Sequence, residues 1–292
     1  MRRITFLLIL LLALTGVSRA AGVTVVDDVG REVRLASPAQ RIVSLAPHAT
    51  ELLFAAGAGE SVVGVSDFTT WPPEADQLPS IGGGAGLDLE AIIALQPDLL
   101  VAWYSGNPRA QLQRLEAFGL NVFYSEPATL EALASNIERL GRLAGSEITA
   151  AIAAAEFRQG VEALRAEYAQ REPVTVFYQI WERPLMTING NHIISRWLQV
   201  CGAQNIFADL PDLGTAIDEE AVLEADPQLL VAGYYPGKGE GWRERWARWP
   251  QLRAVAEGHL YTVPAETMER QTPRALQAAR QLCAIIDAVR RD

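Results

Sequence analysis

Apolar residues recur at steps of three and four through residues 146–170, SEITAAIAAAEFRQGVEALRAEYAQ. Ala150, Ala153, Phe157, Val161, Leu164 and Tyr168 line one face of a helix at that spacing. Ile148, Ile152, Ala155 and Ala166 form a smaller stripe on the opposite face. The segment has no Pro and one Gly, and is rich in Ala, Glu, Arg and Leu, which favour helix. A helix apolar on two sides is expected to pack against two bodies. Its place near mid-chain makes these the halves before and after it.

Elsewhere, short apolar runs bounded by turn residues alternate with helix-period segments. Residues 23–35 read as a strand pair turning at Asp27-Asp28-Val29-Gly30-Arg31. Residues 41–47 read as a strand ending at Pro47, and 50–57 as a helix capped by Thr50 and stopped by Gly57. With a strand over 62–65 this makes a βαβ unit, which predicts a parallel sheet. Residues 82–86, GGGAG, lack the Gly-Lys-Ser/Thr ending of a phosphate loop and read as a flexible connection. Further helices are expected over 89–96 (capped by Asp88), 111–118, 130–143, 191–200, 242–255 and 274–289. Further strands are expected over 99–103, 121–124, 174–180 and 260–263, with a helix-then-strand pair over 220–232.

One segment repeats. LEAIIALQPDLLVA (89–102) and EEAVLEADPQLLVA (219–232) share seven of fourteen positions without a gap, and Tyr104 and Tyr234 continue the match. A period of 130 residues is too long for a solenoid and marks a duplicated lobe. The copies flank the long helix, which therefore joins two similar α/β lobes. Each copy sets a Glu, Glu90 or Glu220, two residues after an N-cap Asp, Asp88 or Asp218. An acid in a first helical turn favours the macrodipole by about 0.3–1 kcal/mol. The same position in both lobes also suits a symmetric pair of surface contacts.

Composition adds the compartment. Arg2 and Arg3 precede an apolar run over 4–14, and Ser18-Arg19-Ala20 supplies small residues at a break. Residues 1–20 read as a secretory signal peptide, too short in its apolar run to span a bilayer. Their removal takes three Arg and no acid, so the net charge of −10 becomes −13. An acidic chain of this kind repels phosphate, which makes it a poor candidate for nucleic acid or anionic lipid and favours a basic partner surface. The two cysteines, Cys201 and Cys283, are an even count in an oxidising compartment, which favours a bridge over two buried thiols.

Chemistry-bearing clusters are sparse. There is no Gly-x-Ser-x-Gly elbow and no His-Glu-x-x-His helix. His48, His192 and His259 are scattered, so no catalytic residues and no metal site are expected. Phe68 and Trp71 lie on a loop after a strand, at the carboxyl edge of a parallel sheet where ligands bind, unless the rings fold back on the core. His48 follows the first core strand. It either faces solvent at a helix start or reaches into the same region.

The stretches SLAPHATELLFAAGAGESVVGVSDF (44–68), LEAIIALQPDLLVAW (89–103), VCGAQNIF (200–207) and ERQTPRALQAARQLC (269–283) resemble those of the periplasmic substrate-binding proteins that serve siderophore, haem and cobalamin ABC importers. They are most similar to the cobalamin-binding members, over nearly the whole mature chain. The resemblance implies an α/β fold of two similar Rossmann-like lobes joined by one long spanning helix, with a ligand cleft between them. The divisions are a signal peptide over 1–20, lobes over 21–143 and 172–292, and a connecting helix over 144–171. It implies a monomer that binds a corrinoid as cargo, with no cofactor. The partner is an ABC importer permease dimer with its ATPase subunits. Haem or an iron siderophore is the alternative ligand. Phe68, Trp103, Met186 and the segment from Glu266 to Arg270 are implied to line the cleft, Glu90 and Glu220 to dock on the permease, and Cys201 to pair with Cys283. Around Gly214 this chain lacks an aromatic that the resemblance leads one to expect.

Overall fold

The computed structural model describes residues 22–83, 86–235 and 241–292; the expected signal peptide lies outside them. The chain opens with a hairpin of β1 (Val23–Val26) and β2 (Glu32–Leu35). The first lobe then runs β3 (Ile42–Ser44), α1 (Pro47–Ala55), β4 (Val62–Val65), β5 (Gly82–Gly83), β6 (Gly86–Leu87), α2 (Leu89–Ala94), β7 (Leu99–Trp103), α3 (Arg109–Ala117), β8 (Val122–Ser125) and α4 (Leu130–Ala144). The long helix is α5 (Glu147–Tyr168). The second lobe runs β9 (Val174–Gln179), β10 (Met186–Ile188), α6 (Ile193–Val200), β11 (Ala203–Asn205), β12 (Gly214–Ala216), α7 (Glu219–Ala225), β13 (Leu229–Tyr234), α8 (Trp242–Trp246), α9 (Arg253–Ala256), β14 (Leu260–Pro264), α10 (Ala265–Met268) and α11 (Ala275–Arg291).

Each lobe holds a four-stranded parallel sheet, in the order β4-β3-β7-β8 in the first and β11-β9-β13-β14 in the second. Numbered within its own lobe, each sheet reads 2-1-3-4. The sequence repeat falls on the same unit of both, α2 with β7 and α7 with β13. Asp88 and Asp218 cap those helices alike, accepting from Ala91 N–H at 2.9 Å and Ala221 N–H at 3.0 Å. Gln96 and Asp226 also match, both with positive φ (48° and 41°). Each precedes a Pro, which excludes the right-handed helical region and turns the chain into the next strand.

Helix α5 buries one face, not two. Ala150, Ala154, Phe157, Val161 and Leu164 are buried, whereas Ile148 (81% exposed), Ile152 (56%), Ala155 and Ala166 face outward. The single face serves both lobes because the helix is long enough to run past each in turn. It packs on α4 and α1 at one end and on α6 and α11 at the other. One continuous core results. It takes Ile42, Leu99 and Val101 from the first sheet, Phe157 and Val161 from α5, and Val176, Tyr178 and Val231 from the second sheet. The alternate strand residues face two smaller clusters, one per lobe, as the two-residue period of a strand requires.

Three other expectations are corrected. Helix α1 starts at Pro47, not Thr50, because Pro at the first helical position has its φ preset and lacks an N–H that would go unpaired. Thr50 instead lies inside, its hydroxyl 2.8 Å from Ser44 Oγ. The stretch 242–255 is two short helices, α8 and α9, with Pro250 between them. Glycines 82–83 and 86 are strand residues, since β5 pairs antiparallel with β6. Cys201, at the end of α6, is bridged to Cys283 on α11. Closing that 82-residue separation stabilises the second lobe by about 4 kcal/mol in a chain-entropy treatment.

The α4–α5 contact is tight enough to test. A Cβ on Gly141 would overlap Ala150 Cβ, which is fixed to the backbone of α5. A Cβ on Gly160 would meet only the terminal methyl of Leu276, which can rotate away. Gly141→Ala is expected to cost about 1–3 kcal/mol and lower Tm by roughly 3–10 °C. Gly160→Ala is expected to be neutral or slightly stabilising, since Ala is the better helix former. Thermal melts of the two variants decide this.

Candidate functional site

A parallel sheet offers its ligand-binding edge where strand order reverses, beyond the carboxyl ends of the strands. In these lobes that point lies between β3 and β7, and between β9 and β13. The chain at the ends of β3, β7 and β9 meets in one cavity of about 300 Å³ between the lobes. Pro47, His48 and Trp103 come from the first lobe, and Ile180, His192, Glu269 and Arg270 from the second. A neighbouring hollow of about 310 Å³ shares Ile180 and adds Trp181, Gly233 and Tyr235.

The aromatic wall is built by close packing. Trp103 stands edge-on to His48, ring centres 5.5 Å apart. It lies over Gly106, where any Cβ would overlap the ring. His48 is buried, contrary to the solvent-facing reading, and its Nε2 sits 3.3 Å from Ser125 Oγ. Burial, aided by the Arg270 charge, pulls its pKa down to about 4, so the ring is neutral. His192 caps α6, its Nδ1 accepting from Ile194 N–H at 3.2 Å. Burial lowers its pKa to about 4 as well, so the neutral ring carries its proton on Nε2 and remains a donor.

The second lobe contributes a further carboxyl group, Glu269, from within the segment 266–270 expected at the cleft. Tyr235 O–H donates to Glu269 Oε2 at 3.0 Å, while Glu269 Oε1 is buried without a partner among the described residues. Burial pushes the Glu269 pKa up to about 7, against the pull of the Tyr235 hydrogen bond. The charge of Arg270 is spent elsewhere. It reaches Glu51 Oε1 at 3.0 Å and donates to Phe68 carbonyl oxygen at 3.3 Å, both on the other lobe. Arg274 meets the same Glu51 oxygen at 3.2 Å, and Thr70 O–H donates to Glu266 at 2.5 Å.

The expected site residues therefore divide. Trp103 and Arg270 line the cavity. Glu266 engages the opposite lobe beside it. Phe68 is 81% exposed with φ 61°, so its ring does not fold back on the core. A bulky residue at positive φ is strained, and such strain gathers at ligand clamps. Met186 lies outside both hollows, paired with Trp181 in a short hairpin. Trp181, two residues past β9, lines the second hollow. Glu90 and Glu220 are exposed in the first turns of α2 and α7. In right-handed βαβ units those turns lie at the carboxyl edge of each sheet, so the two acids flank the cleft. Among the described residues no helix is long and apolar enough to cross a membrane.

Two like lobes, a shared helix and an interlobe cavity at facing strand ends define a ligand-capturing protein of the two-lobed binding class. The chain belongs to the periplasmic binding protein family, which matches residues 42–267, and it is a protein of the periplasm. The Vitamin B12-binding protein of Vibrio parahaemolyticus is 36% identical over 255 residues, 87% of this chain and 92% of that one. The solved periplasmic vitamin B12 binding protein of Vibrio cholerae superposes with a TM-score of 0.80 at 36% identity, covering 87% of this chain and 99% of that one. The periplasmic heme-binding protein of Roseiflexus sp. RS-1 shares the fold, with a TM-score of 0.75 at 24% identity over 86% and 99% of the two chains.

Glu269 gives the unliganded protein a pH signature. Its folded pKa lies above the ordinary 4.5, so the folded state holds the proton longer and loses stability relative to the unfolded chain as pH rises through that window. Glu269→Gln removes the titration. Its stability advantage over wild type is expected to grow by about 2–3 kcal/mol between pH 5 and pH 8. Denaturant titrations at both pH values check this; parallel pH profiles would place the shift elsewhere.

Proposed function

We propose that this protein captures cobalamin in the interlobe cleft and delivers it to the permease dimer of an ABC importer, which the ATPase subunits drive. The observation that carries the reading is the lining of the cavity. It joins aromatic and aliphatic walls to the uncharged hydrogen-bonding groups of His48, His192 and Gln271 and to the partly protonated Glu269, and its one arginine is already paired with Glu51. A corrinoid is large, flat on its ring faces and edged with amides, so it needs apolar area with a few polar groups for orientation. The kinship with vitamin B12-binding relatives supports the same reading. The cavity itself takes part of such a ligand; the rest lies on the open cleft, against Phe68 and Trp181.

Lobes 21–143 and 172–292 act as the two jaws and segment 144–171 as their joint. Cobalamin is cargo, and no cofactor has a role. The protein is a binder, not an enzyme: the His48–Ser125 pair has a base beside a hydroxyl, but Ser125 is wholly buried and held by Asn136 Nδ2 at 3.3 Å. Haem, the alternative ligand, fits less well. His48 shares its Nε2 with Ser125, which leaves His192 Nε2 or the Tyr235 hydroxyl for an axial bond, and the 36%-identical relatives are vitamin B12-binding proteins, against 24% for the heme-binding neighbour.

Calorimetric titration with cyanocobalamin and with haemin tests the reading. Cyanocobalamin is expected to bind the more tightly, and Trp103→Ala to weaken it roughly 10- to 30-fold. Tighter haemin binding would reverse the assignment. For delivery, Glu90→Ala with Glu220→Ala is expected to leave cobalamin affinity unchanged and to weaken docking on the reconstituted permease. Wild-type docking should slow with added salt, as exposed ion pairs do. Lost ligand affinity in that double variant would put the two acids in the cleft instead.

A further inference from the structure

Glu51 is the most buried acid near the cleft, its side chain 2% exposed, and it sits on α1 of the first lobe. Its partners are Arg270 and Arg274, which lie 219 and 223 residues away on the second lobe. Both converge on Oε1, at 3.0 and 3.2 Å. Oε2 is buried with no partner among the described residues. Arg270 also lies 3.4 Å from Glu266. Two arginines thus meet two carboxylates, and the local charge is balanced by residues of the protein itself. Arg270 lines the cleft cavity, while Arg274 lies outside it, stacked over Trp71 at 4.5 Å beside a larger side groove.

An arginine at the cleft wall is the natural partner of a ligand carboxylate, through paired N–H···O bonds. Here its Nη1 is taken by Glu51, and its Nη2 donates to the Phe68 carbonyl. A ligand carboxylate that takes the paired Nη1 and Nη2 donors must break these bonds and leave Glu51 with Arg274 alone, and one held at the remaining N–H groups is repelled by the Glu51 and Glu266 charges beside it. An amide-edged, uncharged ligand accepts from the guanidinium at its rim and leaves the pair intact. We infer that Glu51 is a positioning residue that sets the charge selectivity of the cleft, holding Arg270 away from anionic ligands and reserving the site for uncharged, amide-edged ones. This rests on the cleft being the ligand site and deepens the cobalamin reading by naming what excludes a carboxylated tetrapyrrole.

The test is a comparison of haemin, which carries two propionates, with cyanocobalamin, titrated into wild type and Glu51→Gln by tryptophan quenching. Freeing Arg270 is expected to raise the ratio of haemin to cobalamin affinity by about 10- to 100-fold, the worth of one charged hydrogen-bond pair. Adding Arg270→Gln to Glu51→Gln is expected to abolish the gain, which a general loosening of the lobes would not do. Should Glu51→Gln fold poorly, the charge-balanced pair Glu51→Gln with Arg274→Gln is expected to give a gain in the same direction. An unchanged ratio in folded variants, or a gain that survives loss of Arg270, overturns the assignment. If no protein binds cyanocobalamin, the cobalamin reading fails, and the haemin affinities of wild type and variants still decide the role of Glu51.

Discussion

The buried face of α5 is the constraint on which the rest of the molecule depends. Five residues, Ala150 to Leu164, carry one core from the first lobe into the second. The packing is close at both ends. Gly141 of α4 lies against Ala150, and Phe157 meets Trp197 edge-on at 6.0 Å in the second lobe. Close-packed interiors resist shear, because each small displacement opens voids or forces overlaps. The lobes are therefore not free bodies on a flexible tether. Their facing sheet edges are set at a spacing that the helix dictates, and the cleft is the space left over.

That spacing is reinforced across the cleft by a polar tie. Glu51, Phe68 and Thr70 of the first lobe meet Arg270, Arg274 and Glu266 of the second. A buried ion pair of this kind gives little net stability once desolvation is counted. What it does is fix orientation and cancel charge. The wall that remains is aromatic and aliphatic, with His48 and His192 uncharged through burial and Glu269, its pKa pushed up to about 7, only partly ionised at neutral pH. Stiffness and charge cancellation together suit a large ligand that is recognised by shape and amide hydrogen bonds.

The sequence carried the architecture well, because its signals are local. Steps of three and four residues mark the buried face of α5, and a fourteen-residue repeat marks the unit that both sheets share. Asp88 and Asp218 read as caps and are caps. The second stripe of α5 misled, since Ile148 and Ile152 satisfy the helical period yet have nothing to cover them. Pro47 misled in another way: it ends a strand and opens a helix at once. The site was less legible. Trp103 and Arg270 were named for the cleft by the family resemblance, not by any local pattern. Glu51, by contrast, reads as an ordinary helix residue, and its meaning comes from partners more than two hundred residues away. Glu269 likewise gains its character only from burial beside Tyr235.

The central claim is that α5 holds the two lobes at a nearly fixed separation whether the cleft is empty or full. Spin labels on cysteines introduced at positions 90 and 220 report that separation, since the native Cys201–Cys283 bridge is buried and leaves them distinct. Double electron–electron resonance, without ligand and saturated with cyanocobalamin, should give distance distributions whose peaks differ by no more than about 2 Å. A peak that moves by roughly 10 Å, on the scale of a hinge closure, would contradict the account.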